Sequence, residues 1–436
     1  MGMGEEERNV DEVWPANYSA GIKGGGADAR DNWWQSPQII RQDAHKIAFI
    51  LCVNDEQEFA ESLSYIEALN VPEGYQTDVI AVREAPSMAA GYHAAMKESD
   101  AKYKIYLHQD VFLIYKDLLN ELVAIFQSDE TIGMAGVLGC RVMPPNAHAV
   151  SRWDTGRTLC NGFSNYINGY QDEHGCRAVD VTAIDGMFMA TQYDIPWRED
   201  LFDGWDFYDI SHSCEFAREG KRVVIPYQRE YWTFHDNKHS NLGMFDTYRL
   251  RFISEYQDIY PFREEENGFA QRNEYERVKA EAKKELDALI DAGRMDEVCR
   301  LLLLPENQGH LVLKELELIC RIRASEETLG LDAGIYRENM PHQEVYARLN
   351  RLRHLIKRIE FRHGNFEDIF RELSENYSTC AVAAVVLTYG MWRKSLYETL
   401  LSAYQGQDGG GKRYREFIEY REFFDDVPET PERNQE

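Results

Sequence analysis

The chain has 436 residues with 75 acidic and 48 basic side chains, which gives a formal net charge of -27 at pH 7. A field of this sign repels phosphate backbones and anionic bilayers, so the composition argues against a nucleic-acid-binding protein or a membrane-surface protein. The eight cysteines are scattered without a CxxC pair, which favours free thiols in a reducing compartment over a disulfide framework or a zinc site.

The N-terminal segment 1–44 is predicted to be a partly ordered leader, because it contains a glycine run at 24–26 and no sustained periodicity. Its first 13 residues are acidic and no apolar stretch follows them, unlike a secretory signal. The longest apolar run, 381–392, is too short to span a bilayer and predicts a buried helix. These features together predict a cytoplasmic protein without a transmembrane segment.

Strands and helices alternate in the first half of the chain, starting from a nearly continuous apolar run at 46–53 that is typical of a buried parallel strand. Short connections between them predict a mostly parallel sheet with right-handed crossovers. The chain contains neither GxGxxG nor GxxxxGK[ST], which argues against a dinucleotide dehydrogenase and a P-loop enzyme. The further predicted elements are helices at 56–69, 87–97 and 118–127 and strands at 77–82, 104–107 and 133–139.

The second half, from about residue 263, consists of charge-rich amphipathic stretches joined by short loops. This pattern predicts a helical domain at 263–424, followed by a disordered polar tail at 425–436. The predicted helices are 274–292, 295–304, 311–325, 344–362, 366–374 and 379–404.

The strand at 104–107 ends in a polar turn that contains His108 and Asp110. In open α/β sheets, ligands bind outside the carboxyl ends of the strands, where a carboxylate can reach a nucleotide and its divalent metal. A cap on the following helix is the alternative role for Asp110.

Three later motifs add polar side chains in the order that an enzyme site would require. Asp185-Gly186 interrupts a strand-like run, and its alternative interpretation is a tight structural turn. Asp206 and Asp209 precede or open a helix, where Asp206 could instead be the N-cap and Asp209 could compensate the helix dipole. His235 follows a later strand and could alternatively be a satisfied core histidine.

In this order the motifs resemble the family 2 glycosyltransferases, which have a GT-A (Rossmann-like) domain, and in particular a streptomycin-biosynthesis-like subgroup. The resemblance covers 45–262 and implies a GT-A domain there, followed by the all-α C-terminal domain. It further implies a hexosyltransferase-type enzyme that moves a sugar, with inversion, from a nucleoside-diphosphate donor such as a UDP-sugar to a hydroxyl acceptor. The implied cofactor is Mn²⁺ or Mg²⁺.

The resemblance also assigns roles to individual residues, although two positions depart from the family pattern. A histidine, His108, replaces the first acid of the DxD-like metal element, and only Glu84 stands where an acidic pair commonly contacts the nucleoside. Imidazole suits Mn²⁺ better than Mg²⁺. The implied roles are catalytic base for Asp209 and, as second choice, Asp206; donor binding for Asn54, Asp55, Glu84, His108 and Asp110; metal binding for Asp110 and His235; and acceptor binding for Asp185, Gly186 and Trp205.

The loop 144–175, with Arg152 and Trp153 and the neighbouring Arg141, is predicted to be a lid that orders on donor binding. The helical domain is expected to shape acceptor or partner recognition and to offer a surface for a homo-oligomer. Two alternative functions remain at this stage. One is a catalytically degenerate nucleotide-sugar-binding or scaffold protein, and the other is a nucleotidyltransferase, which the acidic turn 54–56 disfavours.

Overall fold

The computed structural model describes residues 22–23, 42–149, 153–160, 166–168, 177–236, 244–262, 288–289, 292, 294, 342–409, 411–421 and 424. The chain divides into two compact units, which are described separately below. The first contains 1–158, 168–233 and 244–265, and the second contains 159–167, 234–243 and 266–436. Most of the predicted leader, except 22–23 and 42–44, lies outside the described residues, as do the predicted tail, Arg152, the helices at 295–304 and 311–325, and nearly all of the helix at 274–292.

The first half of the chain alternates between strands and helices, as predicted, and α1 begins at an N-cap, Asp55, whose carboxylate accepts backbone hydrogen bonds. The strands are β1 Ile22–Lys23, β2 Asp43–Val53, β3 Gln76–Arg83, β4 Ala101–His108, β5 Val111–Leu113, β6 Ile132–Gly136, β7 Leu138–Cys140, β8 Thr155–Cys160, β9 Tyr166–Asn168, β10 Ala178–Asp180, β11 Ala183–Ile184, β12 Phe188–Thr191, β13 Arg222–Pro226 and β14 Thr233–His235. The helices between and after them are α1 Glu56–Glu67, α2 Met88–Glu98, α3 Leu118–Ser128, α4 Tyr208–Arg218 and α5 Phe245–Glu255.

The main sheet of the first unit has the strand order β1-β3-β2-β4-β12-β6-β13-β10. Its β2 strand is parallel to both neighbours, and the residues 47–51 are at most 1% exposed, as expected for a strand covered on both faces. β12 runs antiparallel between β4 and β6, and β10 is antiparallel at the edge, so the sheet is mixed rather than uniformly parallel.

The predicted strand at 133–139 is two strands in two different sheets. β6 belongs to the main sheet, whereas β7 pairs with β8 and β11 in the smaller one. Periodicity did not separate them, because only Val137 lies between two buried apolar runs.

The second unit contains a helical bundle with its own apolar core, to which Leu352, Val385 and Leu400 contribute fully buried side chains. The predicted single helix at 379–404 is wrong, because a turn at 390–392 divides it. The Glu360 carboxylate accepts hydrogen bonds from the backbone amides of Met391 and Trp392, at 2.7 and 2.9 Å, and so supports the turn. The helices are α6 His342–Glu360, α7 Phe366–Asn376, α8 Thr379–Tyr389, α9 Arg393–Asp408 and α10 Lys412–Ile418.

Within the part of the chain that the structure describes, every helix is too short or too polar to cross a bilayer.

Candidate active site

Gln109 connects the ends of two parallel strands. Its side-chain oxygen accepts hydrogen bonds from the backbone amides of Asn54 and Asp55, at 2.9 and 3.0 Å, and its amide group donates to the Asn54 side chain. The turn after β4 is therefore fixed to the turn after β2. Sequence reasoning assigned no role to Gln109, although its position between His108 and Asp110 was a usable signal.

Asp55 follows β2 and Glu84 follows β3, at the same edge of the sheet. One oxygen of Asp55 accepts hydrogen bonds from the first-turn amides of α1, those of Gln57 and Glu58, at 2.9 and 3.1 Å. Glu84 is exposed and has a φ of 56°, a left-handed conformation that costs about 1–3 kcal/mol in a non-glycine residue. Asp55 thus starts a helix, and contacts of Asp55 and Glu84 with a nucleoside remain predictions.

His108 and Asp110 lie together at the end of β4. Each offers a potential ligand atom, and these atoms are within 4.8 Å of each other. His108 Nε2 is hydrogen bonded to the Tyr208 hydroxyl at 2.5 Å, although the two residues are 100 positions apart. Burial raises the pKa of Tyr208, so the phenol is neutral and its oxygen can accept a hydrogen bond from Nε2–H. In that tautomer, Nδ1 carries the lone pair that can bind a cation.

The Asp185-Gly186 turn packs against the first turn of α4. Asp209 accepts one hydrogen bond from the Gly186 amide and another from the Ile210 amide, both at 2.8 Å. A Cβ atom at position 186 would lie 2.1 Å from the Tyr208 hydroxyl, so only glycine fits there without displacement. Asp185 itself accepts a hydrogen bond from the Met187 amide at 3.0 Å, as in an Asx turn.

Asp209 keeps some exposure to solvent but lies in a largely desolvated environment. Burial and then the negative charge of Asp185 raise its pKa to about 7, against the opposing effect of the two backbone amides. The carboxylate can therefore take up a proton near neutral pH, while it also holds the turn in place.

Asp206 lies in the half-buried loop before α4. The helix begins at Tyr208, with Phe207 at the capping position and no side-chain cap, so the alternative in which Asp206 is the N-cap is wrong. Among the described residues, none donates a hydrogen bond to the Asp206 carboxylate. Burial raises its pKa to about 6, and the neighbouring Trp205 is 53% exposed.

The loop that carries Asp206 is attached at two other points. The Gly204 carbonyl accepts a hydrogen bond from the Met88 amide at 3.1 Å, at the start of α2. The Asp203 carboxylate accepts hydrogen bonds from Tyr248 and Arg251 of α5, at 3.1 and 2.7 Å. Phe207, at the end of the loop, has a φ of 63°. These contacts hold the Asp206 carboxylate, which has no hydrogen-bond donor within the described part of the chain, in a defined place.

His235 belongs to the second unit, where it pairs with Cys160 between the parallel strands β14 and β8. Its neighbours Phe234 and Asp236 are 0% and 3% exposed, whereas His235 retains partial exposure. His235 is therefore only partly buried, and its role as a metal ligand stays a prediction. Thr233, two residues earlier in the chain, still belongs to the first unit. Its hydroxyl is hydrogen bonded to the hydroxyl of Thr158, in the same unit, at 2.9 Å.

The predicted lid is described only in part. The Asn146 carbonyl accepts a hydrogen bond from Arg249 of α5 at 2.9 Å, and the Arg141 amide donates to Asp154 at 3.0 Å. Trp153 is partly buried. Closure of this loop over a donor remains a prediction.

Residues 48–256 match the family described as a glycosyltransferase-like family. This range contains every site residue considered above. With the mixed α/β sheet and the helices after 342, the match confirms the predicted fold class, a GT-A α/β domain followed by an all-α region. No curated protein matches the chain.

Several solved structures are similar to the chain at low identity. TarS of S. aureus is 10% identical over 86% of this chain and 55% of its own, with a TM-score of 0.33, so the chain spans about half of that structure. TarS 1–349 in complex with UDP is 9% identical over 86% and 91%, with a TM-score of 0.32. The mannosyltransferase PcManGT from Pyrobaculum calidifontis, in complex with GDP-Man and Mn²⁺, is 11% identical over 70% and 92%, also with a TM-score of 0.32. Scores this low carry no argument about fold or function.

Proposed function

We propose that the glycosyltransferase-like domain is a metal-dependent, inverting enzyme of the hexosyltransferase type, which moves a sugar from a nucleoside diphosphate, in the first instance UDP, to a hydroxyl acceptor. One observation carries the proposal. The hydrogen bond between His108 and Tyr208 connects the strand end that holds Asp110 to the start of α4, where Asp206 and Asp209 have raised pKa values. A candidate cation site and two candidate bases thus belong to one connected structure.

The donor atoms at the end of β4 suit a divalent cation. A carboxylate from Asp110 and an imidazole from His108 form a mixed oxygen and nitrogen set, which favours Mn²⁺ over Mg²⁺. A bound cation would neutralise charge on the departing diphosphate as a Lewis acid. We assign Asp110 and His235 as ligands from the family resemblance.

The nucleoside is proposed to bind over the ends of β2 and β3, beside Asn54, Asp55 and Glu84. Gln109 supports this assignment, because it orders the backbone of the first two residues. The strained backbone at Glu84 supports it too, since strain of this kind clusters at binding sites.

Asp206 is the carboxylate that we favour as general base, which reverses the order suggested by the sequence. Both oxygens of Asp209 accept hydrogen bonds from backbone amides, so its carboxylate has a structural task. Asp206 accepts no hydrogen bond from the described residues, and its pKa of about 6 leaves it ionised at neutral pH. In the proposed step, the acceptor hydroxyl gives its proton to Asp206. The hydroxyl oxygen of the acceptor then forms a bond to the anomeric carbon from the face opposite the diphosphate, and the bond between the anomeric carbon and the diphosphate breaks.

The acceptor is proposed to bind beside Trp205, which follows Gly204 and precedes the base. Its exposed ring offers an apolar face to a sugar ring or another flat apolar surface. Asp185 and Gly186, on the other side of Asp209, are proposed to border the same pocket.

The compartment is proposed to be the cytoplasm. The cysteines in the described part of the chain, namely Cys52, Cys140, Cys160, Cys214 and Cys380, are all free thiols, which supports a reducing environment.

The decisive experiment is calorimetric titration of UDP and GDP in the presence of Mn²⁺ and then of a chelator, followed by turnover assays with the matching sugar conjugates. We expect Mn²⁺-dependent binding of one nucleotide, its loss in Asp110→Asn, and turnover that Asp206→Asn abolishes. Binding without turnover of any conjugate would favour the degenerate nucleotide-sugar-binding protein. Absence of binding would contradict the proposal.

A further inference from the structure

The helical region of the second unit contributes buried charges to the strand end at His235. Arg353 of α6 forms an ion pair with Asp236 at 2.5 Å, and the two side chains are only 2% and 4% exposed. One turn further along the helix, the Lys357 ammonium lies 4.7 Å from the centre of the Phe234 ring. Both residues that flank His235 are therefore in contact with the same face of α6.

These two basic residues are themselves held by the rest of the bundle. The Arg353 guanidinium lies 4.3 Å from the centre of the Tyr389 ring, at the end of α8. Lys357 donates hydrogen bonds to the Tyr389 carbonyl at 2.7 Å and to Glu360 at 2.8 Å. Glu360 in turn supports the turn between α8 and α9, so a continuous set of polar contacts joins that turn to β14.

Buried charges of this kind are a poor means of stabilising a bundle. Removing an arginine and an aspartate from water costs more free energy than packing apolar side chains of similar volume would. An ion pair instead restricts geometry, because the Arg353 guanidinium can donate hydrogen bonds to the Asp236 carboxylate in only a few orientations. The contact between Arg353 and Asp236 thus constrains the backbone at the end of β14 more tightly than apolar packing would.

The alternation of a strand decides what this constraint does to His235. Successive side chains of a strand point to opposite faces, so Phe234 and Asp236 share one face and His235 has the other. Burial agrees with this, because Phe234 and Asp236 are buried and His235 keeps some exposure. Anchoring both neighbours fixes the backbone on either side of the imidazole.

We propose that Arg353 is a positioning residue for His235, so that the ion pair with Asp236 sets the affinity of the His235 imidazole for a metal ion. This proposal rests on the proposed function, in which His235 is a metal ligand. It assigns the C-terminal helices a task in the chemistry of the site, in addition to any contact with acceptor or partner.

The test is Arg353→Met in the full-length protein. We expect the affinity for Mn²⁺, measured by calorimetry with UDP present, to fall about tenfold or more, which is the usual effect of removing support from a metal ligand. Hydrogen exchange should accelerate at the amides of 234–236, and turnover should recover at high Mn²⁺ concentration. The matched control is Arg351→Met on the same helix, which removes an ion pair with Glu372 on α7 and should leave Mn²⁺ affinity unchanged.

A second variant covers the case in which Arg353→Met fails to fold. Arg353→Met with Asp236→Leu removes both buried charges and should restore the fold, as shown by circular dichroism. We expect its Mn²⁺ affinity to stay low, because the directional contact is absent. Wild-type affinity in a folded variant of either kind would overturn the positioning role alone. A wild-type protein that binds no Mn²⁺ would instead overturn the proposed function, and with it the role of His235.

Discussion

The hydroxyl of Tyr208 is hydrogen bonded to His108 Nε2, and through this contact the first turn of α4 meets the end of β4. The contact thus joins the candidate cation site to α4, which carries Asp209 and follows the loop that carries Asp206. A change at Tyr208 should therefore affect metal binding without removing any metal ligand.

Tyr208→Phe tests this relationship. The ring is buried and its packing is preserved, but His108 loses the group that selects its tautomer and orientation. We expect about a tenfold loss of Mn²⁺ affinity in calorimetry. Tyr92→Phe is the matched control, because its buried hydroxyl donates to the Leu107 carbonyl on the same strand, at 3.3 Å, rather than to His108. Equal effects of the two variants would refute the proposed link.

Asp206→Asn and Asp209→Asn distinguish the two candidate bases. If Asp206 takes the proton, Asp206→Asn should lower kcat by about 10²–10⁴-fold at an unchanged fold. Asp209→Asn should instead destabilise the protein by about 1–3 kcal/mol. The side-chain NH₂ group of asparagine would face one of the two backbone N–H groups that now donate hydrogen bonds to the carboxylate, so two donors would oppose each other. Kinetics and thermal unfolding of both variants give the answer, and a larger kcat loss in Asp209→Asn would restore the original order.

The raised pKa of Asp206 also predicts how stability changes with pH. Its pKa is raised to about 6 in the folded state, above the ordinary value of 3.8, so the folded state binds the proton more tightly. The unfolding free energy of the wild type should therefore fall as pH rises from about 4 to 6, and the full loss should apply above about pH 6. Asp206→Asn removes the charge, so it should be more stable than the wild type at pH 7.5, by about 1–2 kcal/mol after solvent screening.

The same value sets the pH profile of activity. Turnover should rise as pH increases through about 6, where Asp206 loses its proton. An inflection near 7 would point to Asp209, whose pKa is raised to about 7. The measurement is kcat/KM against pH at saturating Mn²⁺.

Gly186→Ala adds only a methyl group, but it should lower both the stability of the protein and its affinity for Mn²⁺. The added Cβ would lie 2.1 Å from the Tyr208 hydroxyl, so the ring or the turn must move and the contact with His108 is lost. We expect a loss of about 1–3 kcal/mol in unfolding free energy, together with weaker Mn²⁺ binding. Gly406→Ala in α9, where nothing lies within 4 Å of the added atom, should instead be neutral or stabilising by about 1 kcal/mol.

Gln109→Leu tests the connection between the two strand ends. It frees the backbone of Asn54 and Asp55, and fixing each residue again when a nucleotide binds costs on the order of 1 kcal/mol. UDP affinity should fall roughly tenfold in the same calorimetric titration. Gln127→Leu, which removes an exposed hydrogen bond to Tyr75 of 3.0 Å, should leave UDP affinity unaltered.

The sequence predicted the features that depend on the local pattern of residues. It did not predict contacts between residues that are far apart in the chain. The apolar run at 46–53 and the polar end at His108 and Asp110 carry their own signal, because burial and termination are local properties. The contact between His108 and Tyr208 has no such signal, since only the folded sheet brings the two residues together. The division of the predicted helix at Gly390 was hidden because its support comes from Glu360, about thirty residues earlier.

The antiparallel direction of β12 has a consequence for how this site could diversify. Phe188 pairs with Leu107, so β12 begins at the edge of the sheet where its antiparallel neighbours β4 and β6 end. The turn that precedes β12, with Asp185 and Gly186, therefore reaches that edge without a crossover helix. If Asp185 and Gly186 border the acceptor as proposed, substitutions upstream of β12 would alter acceptor preference while the parallel strands proposed to bind the nucleotide keep their register. Acceptor and donor selectivity would then be able to evolve as separate traits on one sheet.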